Sequence, residues 1–92
     1  MKTIWKYTLK AEVSNIIDMP LGAEVLSVET QGDDINIYAL VDPMETAQQQ
    51  IEVRTYGTGH DIDVDLSHYK FLGTAKLYNG SLMFHLFYKR IK

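Results

Sequence analysis

The sequence has no cysteine, only two prolines, and no apolar run near the roughly 20 residues that a bilayer-spanning helix requires. Without cysteine there is no disulfide to brace the fold and no thiolate nucleophile. Nor is there an excess of basic charge: nine Lys and Arg stand against twelve Asp and Glu, a net charge of −3 that provides no general field for DNA or RNA. Met1-Lys2-Thr3-Ile4-Trp5-Lys6 is not followed by the apolar stretch of a secretion signal, and with the missing cysteines this points to the cytosol. A chain of 92 residues buries only roughly 60 to 70% of the surface its unfolded form exposes, so the core is expected to be thin. With disulfides excluded, association into a homo-oligomer is the expected supplement.

What the sequence does have is alternation. Apolar and polar residues take turns in short runs between turn residues, the pattern of half-buried strands. The first run is Thr3 to Lys10, with Trp5, Tyr7 and Leu9 on one face. Residues 11 to 22, holding Ser14-Asn15 and Met19-Pro20-Leu21-Gly22, read as a connection whose proline and glycine oppose helix. Ala23 to Gln31 and Ile35 to Val41 flank Gly32-Asp33-Asp34 as a hairpin; Ile35, Ile37, Ala39 and Val41 share one face and Tyr38 lies on the other. Asp42-Pro43 ends that strand, and Met44 to Gln49 is the one place where a helical turn fits. Gln50 to Tyr56 alternates again, placing Arg54 and Tyr56 opposite Ile51, Val53 and Thr55. Gly57-Thr58-Gly59-His60 breaks it and leads into an acidic loop, Asp61 to Ser67. Tyr69 to Tyr78 and Ser81 to Tyr88 flank Asn79-Gly80, a type I′ hairpin signal. These six strands predict a single domain over residues 1–92, mostly β, either a small antiparallel sandwich or a strongly curved sheet. In the last strand both faces are apolar or aromatic, which suits a face covered by another subunit.

Catalytic constellations are scarce. No elbow motif announces a serine nucleophile. Asp61, Asp63 and Asp65 alternate like cation ligands but lack the glycine and glutamate positions of an EF-hand loop, and read as a solvated acidic loop. His60, His68 and His85 have no spacing that sets two imidazoles on one metal, and a phosphodiesterase built on His60 and His85 finds no support in their separation. No metal, cofactor or catalytic residue is therefore expected, and a binding protein is the preferred reading. Gly57 and Gly59 form either a plain turn or a place where a ligand approaches the backbone closely. Arg54 and Tyr56 project together; the ordinary outcome for such an arginine is pairing with Glu52, and the functional one is a bidentate grip on phosphate. Among the aromatics, Trp5, Tyr7 and Tyr38 are candidate stacking platforms.

The order of motifs also carries a resemblance. Met1-Lys2-Thr3-Ile4-Trp5-Lys6-Tyr7, Met19-Pro20, Gly22-Ala23, Leu26-Ser27-Val28, Ala39-Leu40-Val41-Asp42-Pro43, Tyr56-Gly57-Thr58-Gly59-His60, Gly73-Thr74 and Phe84-His85 resemble a widespread family of small proteins encoded by bacteriophages and prophages. Those proteins resemble phage sponge proteins that sequester the cyclic nucleotide signals of bacterial immunity, CBASS included. The resemblance implies a non-enzymatic homo-oligomer, such as a tetramer, in the cytoplasm of the infected host, binding a cyclic dinucleotide such as cyclic GMP-AMP and neither DNA, RNA nor membrane. On that reading Gly57, Thr58 and Gly59 offer donors to a phosphate, His60 and Arg54 add hydrogen bonds or charge beside Tyr56, and Trp5, Tyr7 or Tyr38 stack on bases. Lys6 or Arg90 would add charge across an interface. The sequence departs from the family pattern at Ala75-Lys76-Leu77, where an aromatic run is usual, which bears on ligand choice. The competing reading is a small phage accessory protein that inhibits a host protein by direct binding.

Overall fold

A computed structural model describes residues 1–92. The chain forms seven strands and no helix: β1 Thr3–Thr8, β2 Ser14–Pro20, β3 Glu24–Gln31, β4 Asp34–Val41, β5 Gln48–Gly57, β6 Lys70–Leu77 and β7 Leu82–Arg90. They build two antiparallel sheets, one ordered β1-β4-β3 and the other β2-β5-β7-β6, that face each other without closing into a barrel. The sheets approach most closely where β3 lies over β6. There the position of a Cβ on Gly73 would fall 2.8 Å from Val28 Cγ1, so only a residue without a side chain lets the layers meet at this seam.

The inner rows are the alternating apolar sets. Ile37, Ala39 and Val41 of β4 face Ile51 and Val53 of β5, Leu86 of β7 and Ala75 of β6, with Met19 of β2 fully buried beside them. Only 14 of 92 residues are buried, the thin core expected of so short a chain.

Two expectations are corrected. The segment read as a connection contains β2, which makes seven strands rather than six. Its inward row is Asn15, Ile17 and Met19, and an asparagine in a core position hides the alternation. Asn15 is tolerated there because its amide is used: Oδ1 accepts from Lys10 N at 2.9 Å, and Nδ2 donates to Lys10 O at 3.2 Å. Pro20 takes the last position of this edge strand, where a missing N–H costs no ladder bond. Second, Met44 to Gln49 is not helical. The Asp42 carboxylate accepts the Met44 N–H at 3.0 Å, a local alternative to a helical turn, and β5 begins at Gln48.

Both hairpins exist with adjusted turns. Gln31 pairs with Asp34 across Gly32-Asp33, where Gly32 at φ 62° supplies the positive φ of a type II′ first position. In the β6–β7 hairpin Leu77 pairs with Leu82 across four residues instead of the two expected, three of them at positive φ, Tyr78 (52°), Asn79 (57°) and Gly80 (87°), and Gly80 N donates to Leu77 O at 3.1 Å.

Candidate ligand-binding site

The block Tyr56-Gly57-Thr58-Gly59-His60 ends β5, and each residue has a local structural role. The Tyr56 hydroxyl accepts from Arg54 Nη1 at 3.1 Å and donates to Asp63 at 3.3 Å. At Gly57 the His60 ring folds back so closely that an added Cβ would sit 2.7 Å from Cε1, and Gly57 N donates to His60 Nδ1 at 3.3 Å. Thr58 N donates to Met83 O at 3.2 Å, and the Thr58 hydroxyl lies 2.8 Å from His85 Nε2. Gly59 takes φ 85° to turn the chain, and His60 N donates to Gly57 O at 3.1 Å. The N–H groups of Gly57, Thr58 and His60 are thus already engaged, which leaves the turn poorly equipped to cradle a phosphate.

Arg54 projects with Tyr56 from the outer face of the four-stranded sheet, as the alternation requires, but is committed internally. It pairs with Glu52 at 3.2 Å and with Asp63 at 3.7 Å. Glu52 also accepts from Ser14 Oγ at 2.8 Å and from the Tyr69 hydroxyl. The Tyr69 hydrogen bond above all, with help from Ser14 and Arg54 and against the opposing effect of burial, holds the Glu52 carboxyl below the usual carboxylate range. The Tyr56 hydroxyl in turn helps hold the Arg54 guanidinium above its ordinary value. This network fastens the acidic loop between β5 and β6 onto the sheet.

The three candidate platforms are separated. Trp5 pairs with Ala39 and Tyr7 with Ile37, so both lie on the inner side of β1, whereas Tyr38 faces outward. Trp5 keeps 41% of its surface exposed because β1 is the sheet edge away from the β3–β6 seam. The Tyr7 hydroxyl is buried without a hydrogen-bond partner, and burial pushes its pKa up. The nine residues singled out in the sequence therefore fall into separate places. Gly57 and His60 share one cavity, Arg54 and Tyr56 one outer network, Thr58 joins His85 and Gly59 only turns the chain, while Trp5, Tyr7 and Tyr38 lie on the other sheet. His60 lines the cavity and His85 belongs to the outward row beside Thr74, so these two imidazoles do not converge.

At the other end of the sandwich the sheets diverge around a cleft of about 890 Å³. Its inner row on β7 passes from Leu86, fully buried, to Tyr88 and then Arg90 at the mouth. Lys70, paired with Tyr88 across the sheet, joins from β6 and Lys2 from the start of the chain, with His68 beside them. Lys89 borders the cleft but alternates with Tyr88 and Arg90 and pairs with Glu52 across the sheet, so its side chain takes the outer face. Against the three permanent cations Lys2, Lys70 and Arg90 stands one carboxylate, Glu24, a formal 3 − 1 = +2 in a chain of net charge −3. The chain's ion pairs are both made by Arg54, so none of the three is in an ion pair. Lys89 is held over the Tyr69 ring at 4.6 Å, a cation–π contact that keeps its ammonium on the outer face beside the Glu52 network. Sequence reading reached only Arg90, as a charge across an interface. The others stand at positions 2, 68 and 70, and only the pairing of Lys70 with Tyr88 brings Lys70 of β6 beside Arg90 of β7. No group of three or more His, Cys, Asp or Glu side chains is arranged to hold a metal ion.

The fold and cleft describe a small all-β protein with basic side chains gathered at one end. Across residues 1–92 the chain matches the family described as domain of unknown function DUF7352, and it belongs to that family. No curated protein and no solved structure matches it. No helix is long and apolar enough to cross a membrane.

Proposed function

We propose that the protein is a non-enzymatic sponge that binds a cyclic nucleotide signal, a cyclic dinucleotide such as cyclic GMP-AMP, and lowers its free concentration in the cytoplasm of a phage-infected bacterium. The observation that carries this reading is the cationic cleft: three unpaired side chains, Lys2, Lys70 and Arg90, beside Tyr88, in a chain whose overall charge is negative. Unpaired cations that share a cleft repel one another, and a ligand with two phosphates relieves that repulsion while gaining charge-assisted hydrogen bonds. Arg90 and Lys70 grip phosphate, Lys2 adds charge, and the Tyr88 ring offers a face to a base. This reading moves the phosphate role from the Gly57–His60 turn, whose donors are engaged, to the opposite end of the molecule.

Sequestration makes a quantitative demand. Holding a signal at nanomolar concentration needs about −12 kcal/mol, more than stacking on one or two bases at ~1–3 kcal/mol each. An open cleft on a thin domain gains enclosure when a second copy covers it, so the sponge works as a homo-oligomer.

The test is to mix the purified protein with a panel of cyclic di- and trinucleotides and cyclic ADP-ribose isomers, denature it by heat, and analyse the supernatant by mass-resolved chromatography. One nucleotide that disappears on mixing and returns unchanged on heating supports the sponge. A nucleotide that returns altered makes the protein an enzyme, and retention of none favours a protein-directed inhibitor.

A further inference from the structure

The end of the sandwich opposite the cationic cleft holds a second cavity, of about 350 Å³, which shares no lining residue with the cleft. Its floor is apolar, with Leu9, Ile35, Leu77 and Phe84. Its rim carries three carboxylates, Glu12, Asp33 and Asp34, against one Lys10, a formal 1 − 3 = −2, and none of them is in an ion pair.

The cavity is also fixed in shape. Asn15 ties the β1–β2 connection through Lys10 N at 2.9 Å, and Thr55 N donates to Val13 O at 2.9 Å. Leu9 N donates to Ile35 O at 2.9 Å, which joins that wall to β4 beside the β3–β4 turn. A preformed concavity with an apolar floor is the usual form of a small-molecule site, and the charge at its mouth selects the sign of what enters. Phosphates and carboxylates are repelled here. The shape suits an apolar stem that covers Leu77 and Phe84 while its charged head stays at the rim, partly in water.

We infer that this cavity is a binding site for a small organic cation, a primary amine or guanidine carried on a short apolar stem. It is independent of the nucleotide reading, because the two spaces lie at opposite ends and attract opposite charges. The site holds its ligand by stem burial and uses the carboxylates for selection, since exposed charge pairs contribute little affinity in water.

The test uses two probes with the same ring and opposite charge, phenethylamine and 3-phenylpropionate, titrated into the isotope-labelled full chain while amide resonances are followed by NMR. Phenethylamine is expected to give saturable shifts at Leu9, Ile35, Leu77 and Phe84, with 3-phenylpropionate binding at least about fivefold more weakly. The double variant Asp33→Asn with Asp34→Asn, on an exposed hairpin tip, should narrow that difference to about twofold or less. Glu12→Gln provides the same comparison if the double variant folds poorly. Equal binding of both probes overturns the inference, as do shifts confined to other surfaces or the absence of saturable shifts with phenethylamine.

Discussion

The two ends of the sandwich are built from the same strands and share one core, yet their chemistry is opposite. At the acidic end the connections are tight, and turn-forming residues decide the charge: Asp33 in the two-residue β3–β4 turn and Asp34 at the first position of β4. At the basic end the strands run past the core, and long side chains reach out from sheet positions: Lys70 from the start of β6 and Arg90 from the finish of β7. A sheet interior constrains every residue that lines it, but the ends of its rows are free to carry charge. Ligand chemistry can therefore be set at one end without disturbing the other.

That separation can be broken or sharpened by mutation. The largest effect is expected from Arg90→Glu with Lys70→Glu, which should reduce cyclic dinucleotide retention by a hundredfold or more, on the order of two lost charge-assisted contacts. Thermal unfolding should change little, since both side chains are exposed and unpaired. In the capture-and-release assay, His60→Ala should retain nucleotide as the wild type does; its failure to do so would return the phosphate site to the turn. Gly73→Val wedges a side chain against Val28 at the seam shared by both ends and should cost about 1–3 kcal/mol in urea unfolding.

A smaller effect, about 1–2 kcal/mol at neutral pH, is expected for Glu52→Gln, which weakens the network holding the acidic loop. The folded-state pKa of Glu52 is lowered, so its contribution is present above the unfolded-state pKa and is lost as pH falls through the folded one. The stability difference between wild type and variant should therefore shrink below about pH 4, which a series of denaturation curves measures. The smallest effect is a gain. Tyr78 is exposed and holds φ at 52°, a region unfavourable to a side chain, so Tyr78→Asn or Tyr78→Gly should raise stability by roughly 0.5–1 kcal/mol.

Much of the fold was legible from alternation. The inner row Ile37, Ala39 and Val41, the outward placement of Tyr38, and the common face of Arg54 and Tyr56 all follow from a period of two and are present in the structure. Strand β2 was not legible, because Asn15 occupies an inward position that only its hydrogen bonds to Lys10 explain. The site was less legible than the fold. Periodicity says which face a residue takes, but not whether its donors are already engaged. Arg54 has the geometry of a phosphate ligand and the partners of a structural ion pair. The cationic cleft is invisible along the chain, since its members become neighbours only when strand pairing and the meeting of the sheets are known.

The seam at Gly73 and Val28 makes the two sheets resemble the covers of a book bound along β3 and β6, with β1 and β2 at the fore-edge. A book opens away from its spine. Strand β1 is exposed along nearly its whole length and pairs on one side only, so amide hydrogen exchange should be fastest there and slowest in β5 and β7, which are paired on both sides. The fore-edge is thus the margin where the domain breathes, and any ligand or second copy that joins β1 to β2 would act as a clasp.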